Sequence, residues 1–184
     1  LDHYHGEQSS FYDILGVRSG NAQQSRNEYV SLPNPRIGTI ARPGWEFTTA
    51  CKPLIYAKTA TAIKTMERII GRDAMDDIMQ YYFQENKFSH PREDDLLTAM
   101  KTIIHKRKID FDVDQYWNQV LHDTVAIDYQ VKEIIANSKG DQVYISRGGT
   151  FDLPVEVLLT YQDGTSDKIV WQGNTDETII TGAK

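Results

Sequence analysis

Cysteine is nearly missing from this sequence. Cys51 is the only one in 184 residues, which excludes a disulfide within the chain and leaves the redox compartment open. No stretch approaches the roughly 20 consecutive apolar residues of a membrane span, so no transmembrane helix is expected. Positive charge is in deficit: 20 Lys and Arg face 26 Asp and Glu, a net charge of −6. That balance argues against a nucleic-acid partner, which selects a basic face. The one short basic cluster, His105-Lys106-Arg107-Lys108, closes a predicted helix, where cations complement the helix dipole. Signature motifs are missing too. There is no H-E-x-x-H, C-x-x-C, G-x-x-x-x-G-K-[ST], G-x-S-x-G or G-x-G-x-x-G, and so no metal hydrolase signature, redox pair, phosphate loop or serine elbow. A signal peptide is also lacking, and the first residue is Leu1 rather than Met, which suggests a processed product or an excised piece of a longer protein.

An apolar fraction of 40% is ample for an ordinary core. Its distribution divides the chain into three parts. Residues 1–50 keep no apolar period for more than a turn, and turn formers recur at Ser19-Gly20-Asn21, Pro33-Asn34-Pro35 and Pro43-Gly44. This part is read as irregular. It is nonetheless rich in aromatics (Tyr4, Phe11, Tyr12, Tyr29, Trp45, Phe47), which suits a loop packed against something more than a disordered tail.

Residues 51–125 read as α-helical. Pro53 suits a first helical turn, Ile55, Ala60, Ile63, Met66, Ile69 and Ile70 recur at helical spacing, and Gly71 suits the stop. A second helix starts near Arg72-Asp73 with Met75, Ile78, Met79, Tyr82 and Phe83 on one face. After Ser89-His90-Pro91, the acidic turn Glu93-Asp94-Asp95 starts a third, carrying Leu96, Leu97, Met100, Ile103 and Ile104. Asp110 or Asp112 caps a fourth, with Val113, Tyr116, Trp117, Val120 and Leu121. Four helices on short links predict a bundle-like segment.

From residue 126 the period drops to two. Tyr129–Ile135, Gln142–Arg147, Pro154–Tyr161, Lys168–Trp171 and Glu177–Thr181 read as strands, with Asp163-Gly164 as a hairpin signal. Residues 126–184 therefore predict a small antiparallel β-sandwich, and the whole an α+β chain organised by domain.

Few side chains recommend themselves for chemistry. His3 and His5 form an H-x-H pair without a third ligand nearby. His90, His105 and His122 are scattered over different elements, Cys51 has no local base, and Asp76-Asp77 and Asp94-Asp95 sit where solvated helix turns put them.

One pattern is more specific. Ile55-Tyr56-Ala57-Lys58, Glu67-Arg68-Ile69-Ile70-Gly71, Met79-Gln80-Tyr81-Tyr82-Phe83 and Phe88-Ser89-His90-Pro91, with Asp95 beyond, follow one another in an order that resembles the M1 family of zinc aminopeptidases, which are gluzincin metallopeptidases. The resemblance continues through Trp117 and Asp128-Tyr129-Gln130-Val131 into Leu153-Pro154-Val155-Glu156-Val157, over about residues 40–172. Thr59 departs from the pattern, which commonly has Gly or Pro after the lysine.

The resemblance implies the C-terminal part of a thermolysin-like catalytic domain followed by a β-sandwich domain. It also implies one catalytic residue here, Tyr56, as donor to the oxyanion of the tetrahedral intermediate. The family's zinc ligands, its general-base glutamate and its G-x-M-E-N segment would all precede residue 1. The expected cofactor of the whole protein is therefore zinc, its substrate a peptide, and this chain's partner the N-terminal part of the same protein. Alone, the chain is expected to bind no zinc and cleave no peptide. The compartment stays open between the cytoplasm and, if the N-terminus carries a signal, the periplasm or exterior. Spacing alone allows two plainer alternatives: Tyr56 as a core tyrosine, and the chain as a non-catalytic module whose aromatics bind a protein or glycan.

Overall fold

Helices dominate the first two thirds of the protein and strands the last third. The computed structural model describes residues 10–14, 17–32, 38–47, 52–124, 127–136 and 140–182, with side chains from residue 20 onward. His3, His5, Pro33-Asn34-Pro35, Cys51 and the aromatic side chains of Tyr4, Phe11 and Tyr12 lie outside that description. The chain divides into two compact units, Leu1–Thr124 and Val125–Lys184.

The first unit opens with an antiparallel hairpin of β1 (Ser10–Ile14) and β2 (Val17–Gly20), then helix α1 (Asn21–Val30). This helix corrects the irregular reading of residues 1–50. It was hidden because its residues are nearly all polar and none is fully buried, so no apolar stripe marks it. It is held instead by packing against a π-helical segment (Pro53–Lys58) and helix α2 (Thr59–Ile70). Gly71 then takes φ +89°, a conformation that L side chains rarely adopt, and its N–H closes the helix on the carbonyl of Glu67 at 2.8 Å.

Helix α3 (Arg72–Asn86) buries Ala74, Met75 and Ile78, while Met79 and Phe83 of the expected apolar face stay exposed. Helix α4 (Glu93–Arg107) starts with Arg92 as its cap, two residues beyond His90, the backbone N–H of Arg92 donating to Asp95 Oδ2 at 2.6 Å. Helix α5 (Val113–His122) is capped by Asp112, whose Oδ1 accepts from the Gln115 N–H at 2.9 Å. All five of its predicted apolar residues are buried. Together with Leu54, Met66, Ile70, Met100, Ile103 and Ile104 they form the core of this unit.

The second unit is antiparallel throughout. Strands β3 (Tyr129–Ile135), β4 (Gln142–Arg147) and β7 (Glu177–Thr181) form one sheet in the order β3-β4-β7, and β5 (Val155–Thr160) and β6 (Ser166–Trp171) form the other. Val143, Ile145 and Ile180 from the first sheet meet Trp171 from the second, with Tyr129, Val157, Leu159 and Ile169 packed around them. Two sheets facing across a shared apolar layer make the expected small sandwich, which follows the helical segment in sequence. The Tyr129 ring meets Trp171 edge-on at 5.5 Å, and its hydroxyl donates to the Leu153 carbonyl at 2.7 Å.

Candidate functional site

The π-helical segment Pro53–Lys58 carries Tyr56 and Lys58. Leu54, Ala57 and Lys58 are buried at 0%, 2% and 6% exposure, whereas Tyr56 between them is 69% exposed. Tyr56 lies roughly half a helical turn from both Leu54 and Lys58 and turns outward. Tyr56 is therefore a surface phenol on a buried base in this chain. Segments of π-helix are rare and are found often at functional sites.

Several contacts anchor this turn. The Lys58 ammonium donates to the backbone carbonyl of Asp123 at 3.3 Å. The preceding carbonyl region of α5 is also used, since Leu121 O accepts from the N–H groups of Ile40 and Ala41 at 3.0 and 2.9 Å. The end of α5 thus holds both the loop at 40–41 and the π-helical segment. Beyond it, the Arg42 guanidinium lies over the Phe47 ring at 4.2 Å, and Trp45 stands 86% exposed. Following the turn, Thr61 Oγ1 donates to the Ala57 carbonyl at 2.7 Å, and Tyr116 donates to the Ala62 carbonyl at 2.7 Å.

Burial sets the electrostatics. Desolvation pulls the Lys58 ammonium below the usual lysine range, with the nearby Asp123 carboxylate acting in the opposite direction. Tyr116 is pushed well above the usual phenol range by the same cause, which raises Tyr29 as well. At Thr59, the position that departs from the family pattern, Oγ1 is buried with no hydrogen-bond partner among the described residues. A glycine or proline there would carry no such hydroxyl.

The other candidates have structural employment. Asp77 pairs with Arg107 at 2.7 Å, His122 with Glu93 at 2.9 Å, and Asp95 serves the cap of α4. His90 and His105 are exposed on separate elements. Among the described residues, no three His, Cys, Asp or Glu side chains come together as a metal group, so the residues described do not fit a zinc ion. No helix of the described residues is long and apolar enough to cross a membrane.

Lys58 is the residue that sequence reasoning passed over. It stood in the quoted Tyr-x-Lys pattern without a role, and a lysine is normally assigned to the surface. Its signal was its place two residues from Tyr56, on the same face as Leu54. No protein-family model matches the sequence, and no curated protein is significantly similar to it.

Proposed function

We propose that this chain is the C-terminal part of an M1-type zinc aminopeptidase, in which Tyr56 stabilises the tetrahedral intermediate of peptide hydrolysis. Attack of water on the carbonyl carbon of the first peptide bond drives the π electrons onto oxygen, and negative charge develops there. The Tyr56 O–H donates a hydrogen bond to that oxygen without giving up its proton. A preorganised donor of this kind contributes on the order of 10²–10³ in rate, because it is stronger in the transition state than in the ground state.

The observation that carries this reading is the exposure of Tyr56 at 69% on a turn whose neighbouring side chains are buried. A donor must reach substrate and also be held still, and an exposed phenol on an anchored π-helical segment meets both needs. The order of the Tyr-x-Lys, Phe-x-His-Pro and later segments supports the family. In this reading the zinc ion, its ligands and the general base belong to an N-terminal part of the same protein. The chemistry assigned to this chain is that of the phenol alone.

Assays of aminoacyl-4-nitroanilide hydrolysis test it, with this chain alone and with the protein that includes the N-terminal part. The reading expects turnover only from the longer protein. Turnover by this chain alone, or none by either, contradicts it.

A second reading, a protein- or glycan-binding module, is favoured by Trp45 and Phe83, exposed at 86% and 67%. The upstream reading frame separates the two. H-E-x-x-H before Tyr56 supports the peptidase, and its absence supports the module.

A further inference from the structure

A charged lysine in an apolar core is unusual, and its position here is specific. Lys58 is 6% exposed, shares its turn with buried Leu54 and Ala57, and directs Nζ to the carbonyl of Asp123. That carbonyl follows the last residue of α5, where helix carbonyls lack intrahelical partners and the negative end of the dipole collects. An ammonium suits that place, and burying it without such an acceptor is costly. The contact also joins two distant stretches, the π-helical segment and the end of α5, which are 65 residues apart in sequence. The Asp123 carboxylate is itself oriented, its Oδ1 accepting the Thr124 N–H at 2.6 Å.

We propose that Lys58 is the positioning residue of Tyr56: its contact with the Asp123 carbonyl ties the π-helical segment to α5 and so fixes the direction in which the phenol leaves the surface. This rests on the reading of Tyr56 as an oxyanion donor. An exposed phenol has few side-chain neighbours to steer it, so its direction comes from the backbone beneath. A functional group must be held within about 0.5 Å of its productive place, and a displacement of about 1 Å can cost about 10² in rate. Lys58 touches no substrate in this account and acts only through the turn that carries Tyr56.

The test is a double-mutant cycle in the protein that includes its N-terminal part, with Tyr56→Phe, Lys58→Met and the two combined. Lys58→Met is expected to lower kcat by about 10²-fold with little change in KM. The double variant should be scarcely slower than Tyr56→Phe, because a misdirected phenol and a missing one cost the same step. Lys58→Arg, which keeps the charge and the donor, should recover part of the loss. If Tyr56→Phe lowers kcat and Lys58→Met does not, the positioning role is overturned while the peptidase reading stands. If Tyr56→Phe itself leaves kcat unchanged, the peptidase reading fails.

Should Lys58→Met fail to fold, the wild-type chain decides. Its Lys58 ammonium protons should exchange with water far more slowly than those of the exposed Lys52 and Lys101, seen by ¹⁵N-lysine NMR and assigned by their loss in Lys58→Arg. Equal exchange at all three lysines overturns the proposal.

Discussion

Tyr116 donates its phenolic hydrogen to the backbone carbonyl of Ala62 across 54 residues of sequence, at 2.7 Å, and so fastens α5 to α2 just beyond the π-helical segment. Phe111 packs against the same ring at 5.3 Å. One buried phenol thus joins the helix that follows the candidate site to the helix whose end anchors Lys58.

Tyr116→Phe keeps the ring and removes the donor, so the bond between α5 and α2 is lost while the Ala62 carbonyl keeps its place within α2. A loss of about 0.5–1.5 kcal/mol in unfolding free energy, the net worth of one such bond, is expected from urea denaturation. The pH dependence has a definite sign. The folded-state pKa of Tyr116 lies above its unfolded value of 10.0, so its stabilisation is complete below pH 10. Above pH 10 the unfolded chain loses the proton first, and stability falls as pH rises. The alkaline decline should be shallower in Tyr116→Phe, with a remainder from Tyr29, which shifts in the same direction.

Lys58 has the opposite sign. Its folded-state pKa lies below the unfolded 10.5, so between those two values the unfolded chain binds more protons than the folded one. The stability of the wild type relative to Lys58→Met should therefore rise with pH as the buried ammonium is neutralised, reaching its full gain above 10.5. Urea midpoints of both proteins between pH 7 and pH 10 measure it. A difference that stays flat or shrinks contradicts the burial of a charged Lys58.

Two glycines of the second unit separate backbone strain from crowding. Gly164, in the β5–β6 turn, has φ +82° and open space where a Cβ would sit. Gly173 has φ +69°, but a Cβ there would lie 2.4 Å from the Leu153 carbonyl oxygen and 2.7 Å from Tyr129 Oη. Gly164→Ala should cost about 1–2 kcal/mol for the left-handed conformation alone. Gly173→Ala should cost clearly more, because backbone that cannot yield must shift and the Tyr129–Leu153 bond goes with it. Thermal unfolding of the two variants ranks them.

Elements that bury a stripe or alternate were legible in the residues. Helix α5 shows its five apolar residues at helical spacing and buries all of them, and the strands at 129–181 lie where the period of two placed them. Helix α1 was not legible, since a helix of Asn, Gln, Ser, Arg and Glu carries no stripe and is held by what packs on it. Met79 and Phe83 were placed on one face with Met75 and Ile78 yet stay exposed, because spacing gives a face but not its width. Only the Ala74–Met75–Ile78 part of that face is covered. At the candidate site, Tyr56 was singled out by the resemblance and not by its spacing. The π-helical register and the burial of Lys58 were not legible, and the acceptor that Lys58 meets, the Asp123 carbonyl, is 65 residues away in sequence.

The central claim is that the Tyr56 hydroxyl stabilises negative charge on the reacting oxygen. The most direct measurement is the steady-state kinetics of Tyr56→Phe on an aminoacyl-4-nitroanilide, in the protein that includes the N-terminal part. Removing an interaction made mainly in the transition state lowers kcat and kcat/KM together, here by about 10²–10³, with KM nearly unchanged. A variant with wild-type kcat, or one whose only change is a raised KM, would contradict the account.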